Sequence, residues 1–235
     1  MAKRVLLAWS SGKDSAWALH VLGRREDCEV VGLLTTFNQE ADRVSMHAVR
    51  RELVQAQAEA AGLPLWEVEL PSPCCNEEYE RRMGEAHQRA KAQGVTHMAF
   101  GDLFLEDIRE YRIKMLSGSG IDPFFPIWCS ARETPALAGR MLDAGLRAVI
   151  TCVDPRQLDP GLAGRYYDQA LLSELPSAVD PCGERGEFHT FCFAGPMFSH
   201  PIAVQPGEIV TREGFRFADV KAAERPARNQ SSRSP

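Results

Sequence analysis

Ser10-Ser11-Gly12-Lys13-Asp14-Ser15 directly follows the apolar run Val5–Trp9 and leads into an amphipathic stretch that begins at Ala16. The apolar run is too short for a helix and is typical of a buried parallel strand. Where a strand turns sharply into a helix, the first backbone N–H groups of the helix are unpaired, and the positive end of its dipole faces the turn. The stretch therefore predicts an anion site that suits phosphate.

The side chains of this stretch also favour phosphate binding. The hydroxyl groups come from Ser10, Ser11 and Ser15, and the positive charge comes from Lys13. Gly12 is small and lets a ligand approach the backbone closely. The stretch is not a Walker A loop, since Lys13 is followed by Asp14, and it has too few glycines for a dinucleotide fingerprint. A serine-rich helix N-cap with Asp14 in the first turn would explain the same residues without a ligand.

The composition is that of a globular protein in a reducing compartment. Of the 235 residues, 44% are hydrophobic and 25% are charged, close to the globular average. Seven cysteines at irregular spacing argue against a disulfide framework, and no apolar run suits a signal peptide or a membrane span. We therefore expect a cytoplasmic protein. The net charge of −5 becomes −8 without the basic last fifteen residues, which disfavours a broad nucleic-acid surface.

Short apolar runs alternate with helical patterns along the first half of the chain. This alternation predicts an α/β fold, a Rossmann-like parallel sheet with helices on both faces. The predicted strands are Val5–Trp9, Val30–Thr35, Leu65–Leu70 and His97–Phe100, and the predicted helices are Ser15–Arg24, Val49–Ala61 and Asn76–Gln93. Ligands of such sheets lie at the carboxyl ends of the strands. We therefore expect a single crevice, formed by the strand ends Ser10, Thr35-Thr36, Pro71–Cys75 and Gly101-Asp102.

The sequence changes in character near residue 117. A flexible Ser117–Gly120 and a proline- and aromatic-rich Asp122–Trp128 indicate the boundary of a second, smaller α/β domain. We predict domains at 1–116 and 117–220 and a disordered tail at 221–235. The predicted elements of the second domain are the helices Glu133–Ala144 and Arg165–Glu174, the strand Ala148–Val153, and a turn into a strand over Gly183–Phe193.

The phosphate loop resembles the S-G-G-x-D-S pyrophosphate loop of the N-type ATP pyrophosphatases, in the adenine-nucleotide alpha-hydrolase-like superfamily, with Ser11 at the first glycine of that pattern. Five further motifs resemble the diphthine–ammonia ligases and their bacterial relatives. In chain order they are Ser45-Met46-His47, Gly101-Asp102-Leu103, Pro126-Ile127-Trp128, Gly183–Thr190 (the family's G-E-x-G-E-[FY]-x-T) and Gly195–Phe198. The resemblance covers most of residues 1–200, and we expect the short, prokaryotic form without the extra C-terminal domains of the larger eukaryotic ligases.

The resemblance implies an ATP-dependent, AMP-forming carbon–nitrogen ligase. ATP would be cleaved between its α- and β-phosphates, the acceptor carboxylate would become an adenylate, and ammonia would then displace AMP. The implied partners are ATP, Mg²⁺, ammonium and a carboxylate-bearing acceptor, which in that family is a modified histidine of elongation factor two. The oligomeric state is left open, a homodimer included.

The resemblance also implies roles for individual residues. The catalytic candidates are Lys13, Asp14 and Glu187. The candidates for nucleotide binding are Ser10, Ser11, Gly12, Lys13, Asp14, Ser15, Leu34, Thr35, His47, Gly101 and Asp102. The candidates for holding the acceptor or ammonium are Glu184, Glu187, His189 and Thr190. Asp14 or Asp102 would bind Mg²⁺, a hard cation that proteins hold through one or two carboxylates and phosphate oxygens.

Two alternatives stay open on the sequence. One is an adenylating thiolation enzyme of the same superfamily with Cys74-Cys75 as its thiol carrier, although adjacent cysteines lack the C-x-x-C spacing of redox and metal sites. The other is a non-catalytic ATP-binding regulatory module. The segment Leu103–Arg112 replaces an aromatic-glutamine segment usual in the ligases, and we expect this region to touch the acceptor.

Overall fold

The computed structural model describes residues 2–44 and 49–223, and the first part of the chain alternates strands and helices as predicted. In chain order the elements are β1 (Lys3–Ala8), α1 (Lys13–Gly23), β2 (Cys28–Asn38), β3 (Arg43–Val44), α2 (Arg51–Ala61), β4 (Leu65–Leu70), α3 (Asn76–Ala92), β5 (His97–Ala99), α4 (Glu106–Leu116) and β6 (Asp122–Phe124). All four predicted strands and all three predicted helices are confirmed, with small shifts at their ends.

The order of the strands places a ligand crevice beside the phosphate loop. The parallel strands run β4-β2-β1-β5-β6, and the short β3 pairs antiparallel with the end of β2. The chain thus moves outward from β1 to one side and then from β5 to the other, so the strand order reverses between β1 and β5. Ligands of open α/β sheets bind outside the carboxyl ends of the strands at this switch point.

Both faces of the first sheet are covered, as the near-continuous apolar runs predict. Val5 and Leu7 of β1 belong to a buried cluster with residues of α1 and α2. Leu6 points to the opposite face and packs in a second cluster with residues of α3 and α4. This alternation follows from the two-residue side-chain period of a strand.

The second part of the chain forms a smaller, antiparallel sheet with two helices. Its elements are α5 (Thr134–Asp143), β7 (Arg147–Val153), a 3-10 turn (Pro160–Leu162), β8 (Tyr166–Tyr167), α6 (Gln169–Glu174), β9 (Phe188–Ala194), β10 (Val204–Arg212) and β11 (Phe215–Ala222). Strand β7 pairs with β8, β9 and β11. Its Ile150 and Phe191 of β9 belong to the same buried cluster as β1, so one core runs from the first sheet into the second.

The prediction of a helix over 165–174 is wrong in its first half. Tyr166 and Tyr167 form β8 and pair with Val149 and Ala148, as expected of aromatic residues that fit a pleated surface. Helix α6 starts only after Asp168, whose side chain accepts a hydrogen bond from the Leu171 N–H at 2.8 Å. An aspartate that caps a helix in this way fixes the first residue of the helix.

Several features lie outside what the sequence patterns indicated. Helix α4 and the hairpin of β10 and β11 were not predicted. The division at residue 117 stays a prediction, and β6, which lies beyond it, pairs with β5 of the first sheet. The predicted tail starts at 221, whereas β11 continues to Ala222. Among the described helices, none combines the length and apolar character needed to cross a membrane.

We expect Asp168→Ala to lower the free energy of unfolding by about 1 kcal/mol, because the first turn of α6 loses its side-chain cap. Asp168→Asn keeps an acceptor at the same position and should stay near wild type. Urea unfolding of both variants measures the difference. Equal stability of the alanine and asparagine variants would contradict the capping role.

Candidate active site

Hydrogen bonds between residues close in sequence hold the phosphate loop in shape. The backbone N–H of Gly12 donates to Ser10 Oγ at 3.3 Å, and Ser15 Oγ donates to the Gly12 carbonyl oxygen at 3.0 Å. Ser11 has a φ of 69°, the left-handed region that only glycine adopts without cost. The backbone therefore explains why the family pattern has glycine where this chain has Ser11.

Gln57 of α2 holds the loop from beneath, and the sequence analysis missed it. Its side chain is fully buried and accepts a hydrogen bond from Trp9 Nε1 at 2.8 Å. Its Nε2 donates to the carbonyl oxygens of Ser11 at 3.0 Å and Cys192 at 2.6 Å. The signal in the sequence is a glutamine four residues after Leu53, on the apolar face of the helix.

Strand β9 of the second sheet packs directly on the loop. The N–H of Lys13 donates to Thr190 Oγ1 at 3.1 Å, and the N–H of Cys192 donates to the Ser11 carbonyl oxygen at 2.9 Å. A Cβ on Gly12 would lie 3.2 Å from the Thr190 carbonyl oxygen. Glycine at position 12 therefore lets β9 approach the loop without a tight contact.

The ammonium group of Lys13 is buried between the two sheets. Lys13 is 2% exposed, and its Nζ donates to Asp14 Oδ2 at 2.8 Å and to the Cys182 carbonyl oxygen. The rings of Tyr167 and Phe188 lie 5.4 and 5.5 Å from Nζ. Burial acts to lower the pKa of Lys13, but Asp14 and the other acidic neighbours outweigh it and raise the pKa above its usual value, so the group keeps its charge.

A cavity of about 490 Å³ opens at the carboxyl ends of the strands, within the usual size range of ligand pockets. It brings together most of the predicted site residues: Ser10, Gly12, Lys13, Asp14, Ser15, Leu34, Gly101, Asp102, Glu184, His189 and Thr190. Gly101 lies against the first turn of α1, since a Cβ there would be 2.9 Å from the Ser15 nitrogen. The ends of β1 and β5 and the segment before β9 therefore share one crevice.

The remaining predicted residues lie elsewhere. Ser11 belongs to the loop but is buried, and Thr35 is buried on β2, where its Oγ1 donates to the Trp9 carbonyl oxygen at 2.8 Å. The neighbouring Thr36 lines the cavity instead, as strand alternation requires. His47 lies outside the described residues.

Glu187 is buried away from the cavity lining. Its carboxylate accepts hydrogen bonds from the N–H groups of Asp180 and Arg185, both at 2.9 Å, and it is 2% exposed. These contacts shape the turn that precedes β9. The catalytic role of Glu187 stays a prediction, and its contacts are those of a residue that orders this turn.

Glu184 and His189 give the cavity two side chains that are uncharged near neutral pH. Glu184 Oε1 accepts a hydrogen bond from the Leu103 N–H at 2.7 Å. Burial raises the pKa of Glu184 to about 8, and the nearby carboxylates of Asp14 and Asp102 add to the rise. Burial, with a smaller contribution from Lys13, lowers the pKa of His189 to about 4. Groups with shifted pKa values in a cleft are typical of functional sites.

Asp14 fits a Mg²⁺ ion better than Asp102 does. Each aspartate has one oxygen in an ion pair, Asp14 Oδ2 with Lys13 Nζ at 2.8 Å and Asp102 Oδ2 with Arg112 Nε at 3.2 Å. The other oxygen of Asp14, Oδ1, is buried and has no hydrogen-bond partner among the described residues. Over residues 2–44 and 49–223, no three His, Cys, Asp or Glu side chains are grouped as a metal site. A single carboxylate still suits Mg²⁺ when phosphate oxygens supply other ligands.

The sequence is similar to known proteins over most of its length. The family model of the diphthamide synthase N-terminal domain matches residues 3–122, and that of the diphthamide synthase C-terminal domain matches residues 133–225. Proteins named diphthine–ammonia ligase from Bos taurus and Homo sapiens are 26% and 25% identical over 242 residues, covering 92% of this chain and 88% of each relative. The one from Danio rerio is 28% identical over 199 residues, covering 78% of this chain and 77% of the relative.

We expect Ser11→Gly to raise the free energy of unfolding by up to about 1 kcal/mol, because glycine adopts the positive φ without strain. The change also removes a buried hydroxyl group that has no partner among the described residues. Ser11→Ala is the matched control, since it removes the hydroxyl and keeps the Cβ. Thermal unfolding compares the two, and a glycine variant less stable than the alanine variant would contradict the backbone argument.

We expect Glu184→Gln to become more stable relative to wild type as the pH rises from 5 to 8. The folded protein keeps the Glu184 proton up to a pKa of about 8, whereas the unfolded chain releases it near 4.5. Deprotonation therefore favours the unfolded wild-type chain across this window, and glutamine does not titrate. Urea unfolding at three pH values measures the difference in free energy of unfolding between the variant and wild type. If the pKa of Glu184 in the folded protein were near 4.5, this difference would stay constant with pH.

Proposed function

The chain belongs to the diphthamide synthase family, and from that premise we propose that it is an ATP-dependent, AMP-forming ligase that amidates the carboxylate of diphthine with ammonia. The observation that carries the proposal is the shared cavity. Its walls combine the phosphate loop of residues 10–15 with Gly183, Glu184, His189 and Thr190 from the other end of the chain. A ligase needs its nucleotide and its acceptor side by side in this way.

The phosphate loop is proposed to bind the triphosphate of ATP. The N-terminus of α1 faces the cavity through Gly12, Lys13, Asp14 and Ser15, and backbone N–H groups and the helix dipole favour an anion there. Lys13 lies at the same end of the helix and supplies fixed positive charge for the departing pyrophosphate. Asp14 would hold Mg²⁺, which neutralises phosphate charge when it is bound.

The first step proposed is adenylation of the acceptor. A carboxylate oxygen of diphthine attacks the α-phosphorus of ATP and forms an O–P bond. The bond between that phosphorus and the oxygen that bridges to the β-phosphate breaks, and pyrophosphate leaves with the electron pair. The product is an acyl-adenylate whose carbonyl carbon is open to a nucleophile.

The second step proposed is amide formation. The nitrogen of ammonia attacks the acyl carbon, a C–N bond forms, the C–O bond to AMP breaks, and the nitrogen loses a proton. We assign that proton to the ionised fraction of Glu184, because this carboxylate lines the cavity and its pKa of about 8 leaves part of it deprotonated near neutral pH. A carboxyl with such a pKa exchanges protons readily near neutral pH.

The alternatives receive less support from the geometry. Cys74 and Cys75 do not line the described cavity, which weighs against a thiol carrier at that position. A regulatory module would not need an acceptor region beside the triphosphate. All seven cysteines are free thiols, and this fits the cytoplasmic, reducing compartment that we propose.

The test follows α-labelled ATP with diphthine-bearing elongation factor two and ammonium. We expect labelled AMP that depends on both substrates, and we expect Asp14→Asn to lower its rate by about 100-fold or more, as loss of an electrostatic group at a transferring phosphate does. Asp143→Ala, which removes an exposed carboxylate on α5, should leave the rate unchanged. Label that stays in ATP would favour the regulatory module, and label in ADP would contradict cleavage between the α- and β-phosphates.

A further inference from the structure

The cavity contains two Lys or Arg side chains among its described lining residues, Lys13 and Arg112. The ammonium group of Lys13 contacts Asp14 and the Cys182 carbonyl oxygen, and its charge is assigned above to the departing pyrophosphate. Arg112 is on α4, a helix that the sequence analysis did not predict, and its side chain is 28% exposed. The proposed reaction brings a second anion, the acceptor carboxylate, next to a triphosphate. Such an approach is repulsive unless a further cation compensates it.

The surroundings of Arg112 orient its guanidinium group. Its Nε donates to Asp102 Oδ2 at 3.2 Å, and Asp102 is the only carboxylate of the described residues within ion-pair distance. The rings of Phe100 and Tyr111 lie 5.1 and 5.9 Å from the guanidinium carbon. A guanidinium that is flanked by aromatic groups and held at Nε is pre-organised to bind an oxyanion through its terminal nitrogens.

The same contacts place Arg112 close to the nucleotide loop. Asp102 follows Gly101, and Gly101 packs against the first turn of α1 so closely that a Cβ would be 2.9 Å from the Ser15 nitrogen. Arg112 is therefore paired with Asp102, whose neighbour Gly101 packs on the phosphate loop. Arg112 belongs to α4 and lines the same cavity as the N-terminus of α1.

We propose that Arg112 binds the carboxylate of the acceptor and positions it for attack on the α-phosphate, with Asp102 fixing the guanidinium from behind. This inference rests on the proposed function and names the residue that recognises the acceptor. Arginine suits the task because its planar fork matches a carboxylate with two parallel hydrogen bonds. Asp102 then acts as a positioning residue through Arg112, and Asp14 is left as the carboxylate for Mg²⁺.

The experiment measures binding separately from turnover. Kd is determined for elongation factor two that carries diphthine, which has the carboxylate, and for the same protein carrying the corresponding amide. The variants are Arg112→Gln, Arg112→Lys and the control Lys114→Gln, which removes an exposed positive charge from the same helix. The Kd of ATP without acceptor is measured for each variant.

We expect wild type to bind the carboxylate form more tightly than the amide form. Arg112→Gln should weaken binding of the carboxylate form by about 10- to 100-fold, the effect of losing a charge-assisted hydrogen bond. It should leave the amide form and the Kd of ATP nearly unchanged. Arg112→Lys should recover part of the loss because it keeps the charge, and Lys114→Gln should match wild type.

Three outcomes would overturn the assignment of Arg112. The first is an Arg112→Gln variant that still prefers the carboxylate form over the amide form, and the second is a wild-type protein without that preference. The third is a Kd of ATP that rises in Arg112→Gln by the same factor as the Kd of the carboxylate form, which would place the guanidinium on the triphosphate. Failure of the ligase proposal would give a different result: the wild-type protein would bind the acceptor but form no AMP. The two failures are therefore read from different measurements.

Discussion

The carbonyl oxygen of Ser11 accepts two hydrogen bonds, one from Gln57 Nε2 and one from the backbone N–H of Cys192. Gln57 belongs to the first sheet's helical layer, and Cys192 belongs to β9 of the second sheet. The phosphate loop is thus fixed from both sides at a residue whose backbone is held in the left-handed region. Backbone strain of this kind persists only where the surrounding structure over-determines it.

Because the loop is fixed in this way, the two parts of the chain cannot be treated as separate binding modules. Lys13 starts helix α1, yet its ammonium group lies under the turn that carries Cys182 and against the rings of Tyr167 and Phe188. A charge buried at this interface is costly unless it is paired. Separating the sheets would leave it without these contacts, so the phosphate loop and the segment that carries Cys182 and Phe188 are coupled through the buried ammonium group of Lys13.

Two glutamates only three positions apart, Glu184 and Glu187, lie in different surroundings beside the cavity. Glu187 is buried and satisfies the backbone of its own turn, whereas Glu184 lines the cavity and receives the Leu103 N–H. The motif contains both residues, and their roles differ because the turn between them reverses the direction of the chain. The residue that orders the turn and the residue that lines the cavity are therefore distinguished only by geometry.

The sequence by itself determined the strand-to-helix loop of residues 10–15, the alternating strands and helices of the first sheet, and, apart from Pro71–Cys75, the strand ends that meet at the cavity. Each of these depends on local properties, namely apolar runs, helix starts and small residues at a turn. Tertiary structure alone decided that Gln57 supports the loop, that Thr36 and not Thr35 faces the cavity, and that Arg112 lies beside Asp102. These facts depend on packing between distant segments, such as the contact from Lys13 to Thr190 across 177 positions of the chain, and a local pattern carries no information about which partner will fold against it.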